Sequence, residues 1–83
     1  MRQDIQESLD RYVKHGIRTG GFLYAVLTNN LFQAMTKADM ENRMNLHEIC
    51  SYIWNEIPSS CWGTEQKVEV WIARRGLEGK LDK

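Results

Sequence analysis

A single proline, two cysteines and no surplus of charge of either sign leave this 83-residue chain with few chemical markers. Eleven Lys and Arg balance eleven Asp and Glu, which excludes a nucleic-acid binder working through a broad basic surface. Cys50 and Cys61 are too few to frame a small secreted domain, so both are expected as free thiols in a reducing compartment. The longest apolar run, Phe22-Leu23-Tyr24-Ala25-Val26-Leu27, falls far short of the roughly 20 residues that cross a bilayer. The polar start from Met1 to Glu7 holds no stretch of signal-peptide type. The expected setting is therefore the cytoplasm, with no membrane partner. There is no repeat and no low-complexity segment.

What remains is a composition that is 42% hydrophobic, that of an ordinary globular domain with one small core. Apolar spacing supplies its organisation. Ile5, Leu9, Tyr12 and Val13 line one side of a helix from Asp4 to His15. Asp4 and Glu7 offer a capping box at its start, and Gly16 a left-handed stop with Ile17 packing back on Tyr12. After the loop Arg18-Thr19-Gly20-Gly21, a second helix begins near Phe22. Leu23, Val26, Leu27, Leu31, Ala34, Met35 and Ala38 recur at three and four, with Phe22 and Phe32 widening the face, which predicts a central helix. Asp39 as an N-cap divides residues 22–57 into two helices with a turn near Lys37 to Asp39; one long rod is the alternative.

The third helix places Leu46, Ile49, Cys50, Ile53 and Ile57 on its inner face and ends before Pro58. Thr64 caps a fourth, with Val68, Trp71 and Ile72 inward and a stop at Gly76-Leu77. The expected fold is all-α: a compact bundle of about four short helices in a single domain over residues 1–83, with a frayed tail at 78–83.

Catalytic and metal-binding groups are sparse. His47-Glu48-Ile49-Cys50-Ser51 starts like the zinc-protease helix motif but lacks its second histidine. His47, Cys50 and Cys61 have no fourth ligand to complete a structural zinc site, and no base is tied by spacing to Cys61. Neither metal nor cofactor is expected, and the enzyme reading is reduced to an alternative resting on Cys61. Asn29 and Asn30 interrupt an apolar stretch. One internal hydrogen bond by a buried amide, with the other amide exposed, is the simplest account; capping another element or facing a ligand are the others. Trp54, Trp62 and Trp71 with Tyr12, Tyr24 and Tyr52 suit a core or an interface equally.

The loop His15-Gly16-Ile17-Arg18-Thr19-Gly20-Gly21-Phe22 is more suggestive. It sets glycines, a hydroxyl and a guanidinium before an apolar helix, where free backbone N–H groups suit a phosphate or carboxylate. No Gly-Lys-Ser/Thr follows, so it is not a P-loop. The candidate ligand site is thus His15, Arg18, Thr19, Gly20, Gly21 and Phe22, with Asn29 and Asn30.

The stretches Tyr12-Val13, Gly16-Ile17, Gly20 through Leu31, Ala38-Asp39, Tyr52 through Pro58 and Cys61-Trp62-Gly63 resemble a group of small proteins of tailed phages and prophages. The resemblance runs from about Leu9 to Ile72. It implies a viral gene expressed in a bacterium and supplies no catalytic residues. The chain carries Arg18-Thr19 and Asn30 where that group often has proline in the loop and aspartate in the helix. In this setting the expectation is a non-enzymatic accessory or anti-defence protein that sequesters a phosphate-bearing molecule such as a nucleotide signal. An inhibitor that binds a host defence protein through exposed aromatics is the alternative, and self-association to a homo-oligomer is expected because small cores leave little margin.

Overall fold

The first three residues of the chain already show how side-chain pairing sets helix boundaries. The computed structural model describes residues 1–79. Helix α1 (Gln3–His15) starts at Arg2, whose backbone is extended and whose position carries no side-chain cap. The capping box expected of Asp4 and Glu7 does not form, because Asp4 lies within the first turn. Its carboxylate accepts from the Arg2 guanidinium at 3.0 and 2.8 Å, while Glu7 accepts from Gln3. Arg2 also reaches Asp39 at 2.6 Å, tying the chain start to the middle of the molecule. At the far end Gly16 is left-handed (φ 67°) and its N–H donates to the Tyr12 carbonyl at 2.9 Å, the expected stop. Ile17 remains 48% exposed and so does not close over Tyr12 as a buried cap contact.

The second segment is not one helix from Phe22 onward but a hairpin of α2 (Gly21–Leu27) and α3 (Leu31–Lys37). Asn29 takes the left-handed conformation at φ 63°. The Asn29 N–H donates to the Val26 carbonyl and the Asn30 N–H to the Ala25 carbonyl at 2.8 Å, which together make a Schellman stop with Asn in the place glycine usually fills. Asn30 then caps α3, its side-chain oxygen accepting from the Gln33 N–H at 3.2 Å. Both amides are exposed, so the buried-amide account is corrected and the capping account holds for Asn30.

Asp39 performs the break expected of it, accepting from the Asn42 N–H at 2.8 Å at the start of α4 (Met40–Met44). A bend at Asn45 leads into α5 (Leu46–Glu56), which ends ahead of Pro58. Ser59–Cys61 form a 3-10 turn, and Thr64 caps α6 (Glu65–Ala73) by accepting from the Lys67 N–H. Arg75 and Gly76 are both left-handed and turn the chain into α7 (Gly76–Gly79). Glu78 and Gly79, placed in the tail by the sequence reading, belong to this last turn, and the rest of that tail, residues 80–83, lies outside the described residues. The all-helical class stands, but the described residues form seven short helices rather than about four. Short breaks at Thr28-Asn29-Asn30 and Arg74-Arg75, and the bend at Asn45, account for the difference.

One apolar cluster joins these elements. Leu9 and Tyr12 of α1, Leu27 of α2, Ile49 of α5, Val68 of α6 and Cys61 are fully buried. Tyr12 donates its hydroxyl to the Cys61 carbonyl at 2.6 Å, and Trp71 donates its indole N–H to the Tyr12 carbonyl at 3.0 Å. These bonds satisfy polar groups that would otherwise be costly at the centre. Cys50, expected on the inner face of its helix, is exposed, and the buried thiol is Cys61. Cys61 is buried because the 3-10 turn after Pro58 swings it under Tyr12, and Cys50 is exposed because α5 is rolled to aim Ile49 and Ile53 inward. Burial pushes the Cys61 thiol up to about 11. The α3 half of the supposed central helix is likewise corrected: Ala34 is buried, but Leu31, Phe32 and Met35 are exposed.

Candidate functional site: a polar cleft at the base of the helical hairpin

Folding α3 back beside α2 brings the two ends of a 17-residue stretch together. Lys37, the last residue of α3, lies against Gly21, the first of α2, with its Cδ 3.2 Å and its Nζ 3.8 Å from where a Cβ on Gly21 would stand. Gly21 gives this flexible stem room at the hairpin base, where a Cβ would press it aside by a few tenths of an ångström. Around this contact opens a cleft of about 600 Å³. Its walls include Arg18, Thr19, Gly21, Tyr24, Thr28, Asn30, Gln33, Lys37 and Glu65.

The charges in the cleft differ in their commitments. Arg18 holds Glu69 of α6 with two parallel bonds of 2.9 Å each, and Tyr24 donates its hydroxyl to the same carboxylate at 2.6 Å. Bonding to Arg18 first, then to Tyr24, holds the Glu69 carboxyl down to about 2. The same Glu69 bond pushes the Tyr24 phenol up to about 12. The Arg18 guanidinium, raised by Glu69, also sits 5.7 Å from the centre of the Tyr24 ring. Arg18 is thus a strap between the glycine loop and α6, with its charge neutralised. Lys37 makes no ion pair among the described residues. Asn30 spends its oxygen on the Gln33 N–H, which leaves its amide N–H groups for the cleft.

Of the residues singled out in the sequence, Arg18, Thr19, Gly21 and Asn30 meet in this cleft. Gly20 and Phe22 open on the other side of the loop, beside Asp4, Ser8 and Asn42, with Phe22 largely in the core. His15 pairs through Nδ1 with Glu78 at 2.6 Å, at the end of α1. Asn29 faces a second opening with Trp54 and Trp62. A dipole site at the start of α2 is weakened by its length of seven residues, since the macrodipole grows with aligned peptide units. Lys37, Gln33, Thr28, Tyr24 and Glu65 were missed. The signal for Lys37 was the Asn-Asn stop: in an unbroken helix, 16 residues would hold it about 24 Å from Gly21.

The second opening is apolar. A cavity of about 280 Å³ between α2 and α5 is lined by Val26, Asn29, Cys50, Ile53, Trp54 and Trp62. A shallower one, sharing Val26, Asn29 and Cys50, continues it toward Leu31, Ala34 and Leu46. Trp54 and Trp62 pack with ring centres 5.4 Å apart, and Trp62 donates to the Ile57 carbonyl. No group of three or more His, Cys, Asp or Glu among the described residues is placed to hold a metal, and no described helix is long and apolar enough to cross a membrane. No protein-family model, curated protein or solved structure matches the chain.

Proposed function

We propose that this chain is a small non-catalytic binding protein that sequesters a phosphate-bearing small molecule, of nucleotide type, in the cleft at the hairpin base. In the bacterial viral setting that its sequence resemblance implies, such a molecule would be a host signal. The observation that carries the reading is Lys37, a cation with no ion pair among the described residues, aimed across Gly21 into a cleft with Thr19, Asn30 and Gln33. A cation with amide and hydroxyl donors lining the same cleft suits a phosphate. Glu65 on the opposite α6 wall suits donor groups, such as ribose hydroxyls or a base amine, so a nucleotide fits better than inorganic phosphate alone. The volume of the cleft is within the range of small-molecule sites. Arg18 serves here by fixing the loop through Glu69 rather than as the main anion contact.

Isothermal calorimetry with cyclic dinucleotides, cyclic trinucleotides and ADP-ribose tests the reading. One of these is expected to bind, inorganic phosphate only weakly, and Lys37→Glu to weaken the nucleotide at least about tenfold, the loss of a charge-assisted contact. Absence of heat from the whole series would refute it.

A further inference from the structure

The hollow that Gly20 and Phe22 line carries chemistry of a different kind from the Lys37 cleft. About 250 Å³ in volume, it lies among α1, the start of α2 and α4. Asn42 of α4 lines it and is a polar residue sunk among the core, only 6% exposed. Its backbone N–H donates to Asp39, but no hydrogen bond among the described residues reaches its side-chain amide. In the non-exposed residues among these, every side-chain nitrogen or oxygen sealed from solvent has a partner. The Asn42 amide is therefore not sealed, and the opening that Asn42 lines is this hollow. An amide fixed by the surrounding fold and bonded to nothing within it is preorganised for a ligand.

We propose that this hollow binds an uncharged nucleoside through an amino-bearing base of adenine type, with Asn42 reading the edge of the base. A side-chain amide offers a donor and an acceptor side by side. That pair complements an exocyclic amine next to a ring nitrogen, which is how Asn and Gln read adenine. Ser8, whose hydroxyl has no partner among the described residues, adds a second polar contact, and the buried Ile5, Phe22 and Leu23 back the ring. Asp4, also on the wall, decides between bases. Bonding to Arg2 holds its carboxyl below the ordinary range, so it stays ionised and attracts an amine where it would repel a carbonyl. Arg2 is shared among Asp4, Asp39 and Glu41, which leaves an excess of negative charge that opposes a phosphate. The hollow thus selects against the ligand class of the cleft, and its assignment does not rest on that reading. Its volume is below that of a site for a whole drug-sized ligand and suits one ring system.

Adenosine, which has no phosphate, is the probe. Titrated into the ¹⁵N-labelled chain up to about 10 mM, a range that saturates a small ligand of modest affinity, it should shift the Asn42 side-chain amide and the backbone signals of Ser8, Gly20 and Phe22. Inosine, with a carbonyl in place of the amine, should bind at least about tenfold more weakly, and AMP should shift the same signals less than adenosine. Asn42→Leu should weaken adenosine at least about tenfold through loss of the paired contact. Ser8→Ala, a milder change, should weaken it about threefold, as loss of one neutral hydrogen bond does; circular dichroism verifies that each variant remains helical. Adenosine without a saturable shift overturns the proposal, the amide then serving water alone. So do equal affinities for inosine and adenosine, shifts centred on Thr19, Gln33 and Lys37, or binding that folded Asn42→Leu and Ser8→Ala chains retain in full.

Discussion

Glu69 shows how one carboxylate decides the role of its neighbours. By binding both Arg18 and Tyr24, it turns the arginine of a glycine loop from a ligand candidate into a structural strap. Its carboxyl lies at about 2, below the ordinary 4.5. A lowered folded-state value means that the stabilisation is complete above pH 4.5 and is lost as the pH falls toward 2. Urea midpoints followed from pH 7 to pH 2 should therefore fall more steeply in this window for the natural chain than for Glu69→Gln. Equal slopes would show that the strap does not couple to folding. For the same reason Arg18→Glu should lower the melting temperature, because it sets a second carboxylate against Glu69. The two thiols provide a simpler test of burial. Cys50 is expected to label with a thiol reagent in the native state and Cys61 only on unfolding, read by mass spectrometry of the labelled peptides.

At the scale of elements, stop signals rather than hydrophobic periodicity set the architecture. Gly16, Asp39, Pro58 and Thr64 were legible as boundaries because glycine, proline and capping side chains act through local backbone chemistry. Asn29-Asn30 was harder. Apolar spacing continues across it from Val26 and Leu27 to Leu31, so periodicity argued for an unbroken helix while the Schellman stop ended it. Asn30→Ala should cost about 1 kcal/mol through loss of the α3 cap, measured by chemical denaturation. Gly16 and Gly76 form the tightest joint. Each is left-handed, and a Cβ on Gly16 would stand 2.7 Å from the Gly76 nitrogen and 2.8 Å from the Arg75 Cα. Gly16→Ala brings both a strained φ and a backbone collision, and is expected to destabilise by about 2 kcal/mol or more. A change within a few tenths would mean that α7 does not dock on α1 in solution.

For the molecule as a whole, the helical class and the inner faces of α1, α5 and α6 were readable, because Ile5, Leu9, Tyr12, Ile49, Ile53, Val68 and Trp71 repeat at helical intervals and are buried. The site was readable only in part. Loop composition pointed to Arg18, Thr19 and Gly21, whereas Lys37 and Gln33 join them through a chain reversal that composition does not encode. The Arg18 pairing with Glu69 spans 51 positions, and no local pattern announces such a contact. The central claim is that the hairpin base binds a phosphate-bearing nucleotide with Lys37 as its charge. The most direct measurement is a two-dimensional ¹H–¹⁵N spectrum of the labelled chain titrated with the nucleotide that calorimetry selects. The account predicts shifts concentrated at Thr19, Gly21, Asn30, Gln33 and Lys37, abolished by Lys37→Glu while the remaining resonances keep their positions. Shifts concentrated instead at Trp54 and Trp62, or unchanged by Lys37→Glu, would contradict it.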